Sequence, residues 1–133
     1  MTAVETSPLA GSEAENLLRS LSQWGPTTTV VLHGGCVFEF KGPFPDGSVG
    51  EGYYNLTGSD WGFHGHIRLD AVHSIGFQQR QHRGRDSYAF VFLNKQGETL
   101  FKVFLGRDPS GCVYPDQIRK FQQIMTDQTV TAE

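Results

Sequence analysis

Cysteine is nearly missing from this chain: Cys36 and Cys112 are the only two among 133 residues. They are too few for a disulfide framework and too far apart for a CxxC zinc motif. Both are expected as free thiols, in keeping with the scarcity of disulfides in the cytosol. Positive charge is also short. Eleven Lys and Arg stand against fourteen Asp and Glu, giving a net charge of -3 and a pI near 5.9. A chain without a basic excess has no general attraction to phosphate backbones, so nucleic acid is not an expected partner. No apolar run approaches the ~20 residues that cross a bilayer, and Met1 to Gly11 shows neither the basic start nor the apolar stretch of a signal peptide. No membrane partner and a cytoplasmic location are therefore expected. Catalytic signatures are missing as well: there is no GxSxG elbow, HExxH helix, P-loop or GxGxxG turn. Asp60, Asp70, Asp86 and Asp108 all stand beside turns, where the Asp carboxylate bonds local backbone. The residues give no support for enzyme activity.

Aromatic residues are plentiful, with ten Phe, four Tyr and two Trp, so the core is expected to be built around rings. The chain length suits one domain, burying roughly two-thirds of the surface that its unfolded form exposes. We read residues 1–11 as a loose N-terminal tail, 12–127 as the domain and 128–133 as a loose C-terminal tail. Ser12 and Glu15 have capping-box spacing, and Leu17, Leu18 and Leu21 recur at helical intervals before Gly25-Pro26, which predicts a first helix. Thr27 to His33 and Cys36 to Lys41 read as a hairpin turning at Gly34-Gly35. Gly42 to Gly52, rich in Gly and Pro, reads as a loop leading into a short strand over Tyr53 to Leu56. Strands follow at Trp61 to Leu69, Ala71 to Arg80, Ser87 to Asn94 and Thr99 to Leu105, forming an antiparallel meander. Pro115 opens a last helix with Ile118, Phe121, Ile124 and Met125 on one face. The fold class is α+β.

Alternation along a strand puts Phe63, Gly65, Ile67 and Leu69 on one face and His64, His66 and Arg68 on the other. Residues 88–93 and 99–105 are instead apolar at nearly every position, the pattern of strands covered on both faces. Two helices are too few to cover both sides, so a second subunit or a large flat apolar ligand is expected to complete the burial. His64-Gly65-His66 places two imidazoles where they can ligate a metal, although a pair of hydrated surface histidines has the same spacing. Zinc would need three or four ligands, and no Cys/His or acidic cluster supplies them. Haem iron needs only one or two axial ligands from protein, so a sparse histidine inventory in an aromatic-rich chain is compatible with haem. His73, in register with Ile75 and Phe77, is read as a core or edge residue. His82 is read as part of a solvated turn, and His33 as a strand-end residue that a bulge at Gly34-Gly35 can aim either way.

Five segments, in order, carry a more specific signal: Trp24-Gly25-Pro26-Thr27-Thr28, Phe38-Glu39-Phe40-Lys41, Gly52-Tyr53-Tyr54-Asn55-Leu56, His64-Gly65-His66-Ile67 and Phe101 to Asp108. Together they resemble the HutX/ChuX family of bacterial intracellular haem-utilisation proteins. The resemblance implies a fold similar to one half of the larger HemS-type haem proteins, joined to a second copy to make an extended sheet in a homodimer. It implies haem as ligand and a haem carrier that passes its cargo to a haem-using or haem-degrading acceptor protein. His66 falls on the family's haem-associated histidine and is the leading iron ligand, with His64 second. His33 is displaced by one residue from a second such histidine, which flips its face unless the glycine turn absorbs the shift. Tyr53 and Tyr54 keep a phenolate ligand open. Lys41, Arg68 and Arg80 are candidate partners for haem propionates. The longer members' helical segment before the Trp-Gly motif is not seen here, so partner recognition is expected to differ. The alternatives are haem degradation, as in the larger relatives, and a dimeric structural module without ligand.

Overall fold

The β-branched and aromatic segments become strands, and the two segments with helical periodicity become helices. The computed structural model describes residues 6–82 and 84–131, apart from the side chain of His82. In chain order its elements are β1 (Leu9–Ala10), α1 (Ala14–Leu21), β2 (Pro26–His33), β3 (Cys36–Pro43), β4 (Gly47–Gly50), β5 (Tyr53–Leu56), β6 (Gly65–Arg68), β7 (Ser74–His82), β8 (Arg85–Leu93), β9 (Thr99–Leu105) and α2 (Pro115–Asp127). Single 3-10 turns at Gly11–Glu13 and Leu69–Ala71 lead into α1 and away from β6. The class is α+β, as expected. The strands form two antiparallel sheets instead of one meander: six strands in the order β1-β7-β8-β9-β2-β3, and three in the order β4-β5-β6.

Register explains how the larger sheet divides its faces. Phe77, Phe90, Val103, Thr29 and Phe40 form one cross-strand row through five strands, so their side chains share a face. Phe90 and Val103 are completely buried there. The Phe121 ring of α2 packs on Phe77, Phe90 and Tyr88 with centroids 4.9–5.6 Å apart. Trp24 meets Phe90 edge-on at 5.7 Å, an arrangement that aromatic quadrupoles favour. Leu17, Leu18 and Leu21 of α1 are fully buried in the same core. Burying each such side chain contributes about 1.5–3 kcal/mol. Gln117, itself 2% exposed, ties the layers together. Its amide donates to the carbonyls of Trp24 and Pro26, and its carbonyl accepts from Gly106 N–H.

The opposite face is open in the single chain. Gln78, Ala89, Phe104, Thr28 and Lys41 make one row of it, and Gly76, Val91, Lys102, Val30 and Glu39 the next. The expectation that β8 and β9 need cover on a second face matches this geometry, since both helices lie on the first.

Several local expectations change. The stretch read as a loose N-terminal tail contains β1, whose Leu9 pairs with Ile75 and is 0% exposed. The apolar Leu9 side chain gains more by closing the core than the backbone loses in freedom. At the other end Val130 is buried, and its N–H and the Thr129 hydroxyl donate to Glu13 Oε1. The folded unit therefore extends beyond 12–127 at both ends; residues 1–5, 132 and 133 lie outside the described residues. The predicted capping box does not form, because α1 begins at Ala14 with no side-chain cap. The proposed loop over Gly42 to Gly52 contains β4, whose glycines hide a strand that pairs with β5. β7 runs on to His82, paired with Arg85, where a turn was expected; Arg83 of that turn lies outside the described residues. His73 precedes β7 and is exposed, not part of the core.

Candidate functional site

Strand alternation on the small sheet sorts the predicted ligands onto different faces. Tyr54, Leu56 and Ile67 point toward the core, where Tyr54 is 1% exposed and lies under the Arg19 guanidinium at 5.5 Å. Burial pushes the Tyr54 phenol above its ordinary pKa, with the Arg19 charge opposing that shift. A group held neutral and sealed by α1 does not serve as a phenolate ligand, so Tyr54 leaves the set of candidates. Tyr53, one residue earlier, points outward.

The outward face carries two rows. Ser48, Asn55 and His66 are register partners in the first, and Gly50, Tyr53 and Arg68 in the second. Three of the sequence-predicted residues, Tyr53, His66 and Arg68, thus meet on one exposed face. His66 and Tyr53 rings stand edge to face with centroids 6.2 Å apart. His66 Nδ1 lies 2.7 Å from Asn55 Oδ1. Arg68 Nε donates to Asp70 at 2.8 Å, and both side chains are largely exposed. His64 stops one residue short of β6 and bonds the Ser59 carbonyl through Nε2 at 3.2 Å. The two histidines of the His-Gly-His motif are thus both exposed, but only His66 is held by the strand.

The segment between β5 and β6 is anchored by rings. Phe63 stacks on Phe40 of the large sheet at 4.5 Å and meets Phe44 and Trp61 edge-on. Gly42 opposite leaves room for the Trp61 indole, since a Cβ there would approach it to 3.0 Å. At the base of the segment, Thr57 and Gly58 N–H both donate to the Asp46 carbonyl. These contacts fix where β6 begins and therefore which way His66 points.

Lys41, Arg80 and His33 are not brought to this face. Lys41 and Arg80 project from the open face of the six-stranded sheet, since their neighbours in sequence, Phe40 and Gln79, belong to the helix-covered side. Lys41 borders a concavity of about 570 Å³ there, with Thr28, Val30, Phe104 and Arg107. His33 ends β2 in regular register with Cys36, and the two-residue turn between them has φ of 57° and 84°. Such a turn contains no bulge, so nothing shifts His33 to the other face. Both cysteines are free and exposed. Arg107 and Asp108 each brace the 108–112 turn without bonding each other. Arg107 donates to the carbonyls of Gly111 and Asp86, and Asp108 accepts from Ser110 and Cys112. Asn55 was missed. An Asn inside an aromatic β-strand is against strand preference, and that was the signal available.

Residues 7–124 match the haem utilisation ChuX/HutX family. Among curated proteins, the chain is 43% identical over 112 residues to the intracellular heme transport protein HutX of Vibrio cholerae. That match takes in 84% of this chain and 58% of the relative, so the chain spans a little over half of that protein's length. Among solved structures it is similar to the heme binding protein ChuX, with a TM-score of 0.84 at 28% identity over 92% of this chain and 77% of that one. Holo-PhuS, a heme-binding protein from Pseudomonas aeruginosa, aligns at a TM-score of 0.75 but 14% identity, over 99% of this chain and 36% of its own. That last likeness shows the fold alone, as part of a longer chain. The motifs, the two-sheet architecture and these matches together establish that the chain belongs to the haem utilisation ChuX/HutX family.

Proposed function

We propose that this protein is an intracellular haem carrier that holds haem iron through His66 and passes the haem to a haem-using or haem-degrading acceptor protein. The observation that supports it most is the outward face of the small sheet, where an imidazole, a phenol ring and a guanidinium converge on an otherwise small-residue surface. Haem is the cargo here. Its porphyrin fills four iron positions, so one histidine from the protein is enough to tether it. Tyr53 offers a ring edge beside His66, and Arg68 a planar cation suited to a propionate. The family membership and the transport role named for the Vibrio cholerae relative support transfer over turnover.

The working form is a homodimer in this reading. The open face of the six-stranded sheet presents Val30, Val91 and Phe104 half-buried, with Leu32 45% exposed at its margin. Glu39 and Lys102 flank Val30 in one row, so a two-fold stack can oppose unlike charges. A second copy supplies the cover that β8 and β9 call for, and Lys41, on that same face, then belongs to the interface region.

An absorbance titration with haemin, with free haemin subtracted, tests the reading. Saturable binding by the wild type that is weakened in His66→Ala is the expected result. Equal binding by the two proteins removes His66 as ligand, and the lack of any saturable binding removes the carrier.

A further inference from the structure

The atoms around His66 determine which of its nitrogens is available, and a neighbour decides it. Asn55 sits in the centre strand of the small sheet, between Ser48 and His66 in one cross-strand row. Its Nδ2 lies 3.2 Å from the Ser48 carbonyl, 3.3 Å from that of Gly50 and 3.5 Å from that of Tyr53. Carbonyls only accept, so the group facing them is the NH2 and the amide cannot turn over without setting oxygen against oxygen. Asn55 Oδ1 is thereby aimed at His66 Nδ1 at 2.7 Å. An amide oxygen has no proton to give, so Nδ1 carries the hydrogen and Nε2 of the neutral ring keeps its lone pair.

We infer that Asn55 is a positioning residue for iron: clamped by the β4 and β5 backbone, it fixes His66 in the Nδ1–H tautomer and presents Nε2 outward as the ligand atom. The inference rests on the reading of His66 as the iron ligand and adds the residue that prepares it. Hydrogen-bonded partners of a ligating histidine orient the ring and raise its donor strength, and losing one typically costs about 10- to 100-fold in metal affinity. A free imidazole exchanges between tautomers, whereas this one is held in the productive form before haem arrives. The arrangement also disfavours ligation through Nδ1, whose hydrogen is engaged within the sheet.

Long-range proton–nitrogen correlation spectra of the haem-free protein give the first test. The wild type is expected to show His66 as the Nδ1–H tautomer and Asn55→Ala to lose that preference; a wild-type Nε2–H tautomer overturns the inference. Haemin titration and the ferrous iron–histidine stretch give the second. Asn55→Ala is expected to raise the haemin Kd about 10- to 100-fold and lower the stretching frequency. Asn55→Asp keeps an acceptor for Nδ1 but sets a carboxylate oxygen against the Ser48 and Gly50 carbonyls, and is expected to hold the Nδ1–H form and the frequency only partly, between the wild type and Asn55→Ala. It separates acceptor from clamp should the alanine variant fail to fold. Kd and stretch unchanged in Asn55→Ala, with His66→Ala impaired, overturn the role of Asn55 alone. Binding unchanged in His66→Ala overturns the ligand assignment beneath it.

Discussion

The six-stranded sheet packs both helices against one face, where a row of rings and β-branched side chains crosses five strands and Phe90, Phe92 and Val103 have no exposure. The three-stranded sheet also turns one face toward the core, with Tyr54 and Leu56 buried, but its other face carries Ser48, Asn55, Tyr53, His66 and Arg68 toward solvent. The first sheet builds stability from non-directional burial spread over many residues. The second concentrates directional bonds on a few. Substitutions in the two regions should therefore separate stability from haemin binding.

The largest effect is expected from Phe90→Ala. Phe90 contacts the rings of Trp24, Phe77 and Phe121, and its removal should cost about 3–5 kcal/mol of unfolding free energy. Urea denaturation measures it, and a loss under 1 kcal/mol would show that the core repacks and that the contrast between the sheets is overdrawn. Next comes Gln117→Ala, which strands the Gly106 N–H and takes the amide donor away from the Trp24 and Pro26 carbonyls. An unsatisfied buried group costs about 1–3 kcal/mol, and the same denaturation series should place this variant between Phe90→Ala and the site variants.

How much of this could be read from residues differs by the kind of signal. The hairpin at Gly34-Gly35 and helix α2 from Pro115 were legible because turn chemistry and periodicity are local. β1 and β4 were not. Leu9 is ordered by pairing with Ile75, more than sixty positions away, and β4 is glycine at both ends, so neither carries a local pattern. At the site, the motif pointed to His66, but one face of a strand could not be assigned for Tyr53 and Tyr54 without knowing which side packs under α1. Lys41 could not be assigned to a sheet for the same reason: two strands that share a sequence pattern need not pair with each other. Asn55 stood out in the sequence only as a poor strand former, and its bonds show where its amide points.

His66→Ala sharpens the comparison from the other side. The His66 side chain is exposed and, among the described residues, bonds only Asn55, so its loss should change unfolding free energy by no more than about 0.5 kcal/mol. Haemin binding should fall in the same sample. A large loss of stability would mean that the small sheet depends on its polar face, contrary to the division drawn above.

The smallest effect belongs to neither sheet and serves as a control on both. Asp108 Oδ1 accepts from the Ser110 hydroxyl at 2.6 Å, Ser110 N–H at 2.9 Å and Cys112 N–H at 3.0 Å. The Ser110 hydroxyl first, then the backbone N–H groups, hold the Asp108 carboxyl below its ordinary pKa of 3.8. A folded-state pKa below the unfolded value means that the unfolded chain takes up the proton more readily. The contribution of this carboxylate is therefore fully present above pH 3.8 and is lost as pH falls through the lower, folded-state value. Asp108→Asn should melt slightly below the wild type at neutral pH, with the gap closing as the medium is acidified past that window. Because the carboxylate lies in a surface turn, the gap should be small and should shrink with added salt. A gap that stays constant on acidification would assign the effect to lost hydrogen-bond geometry in the 108–112 turn, with charge playing no part.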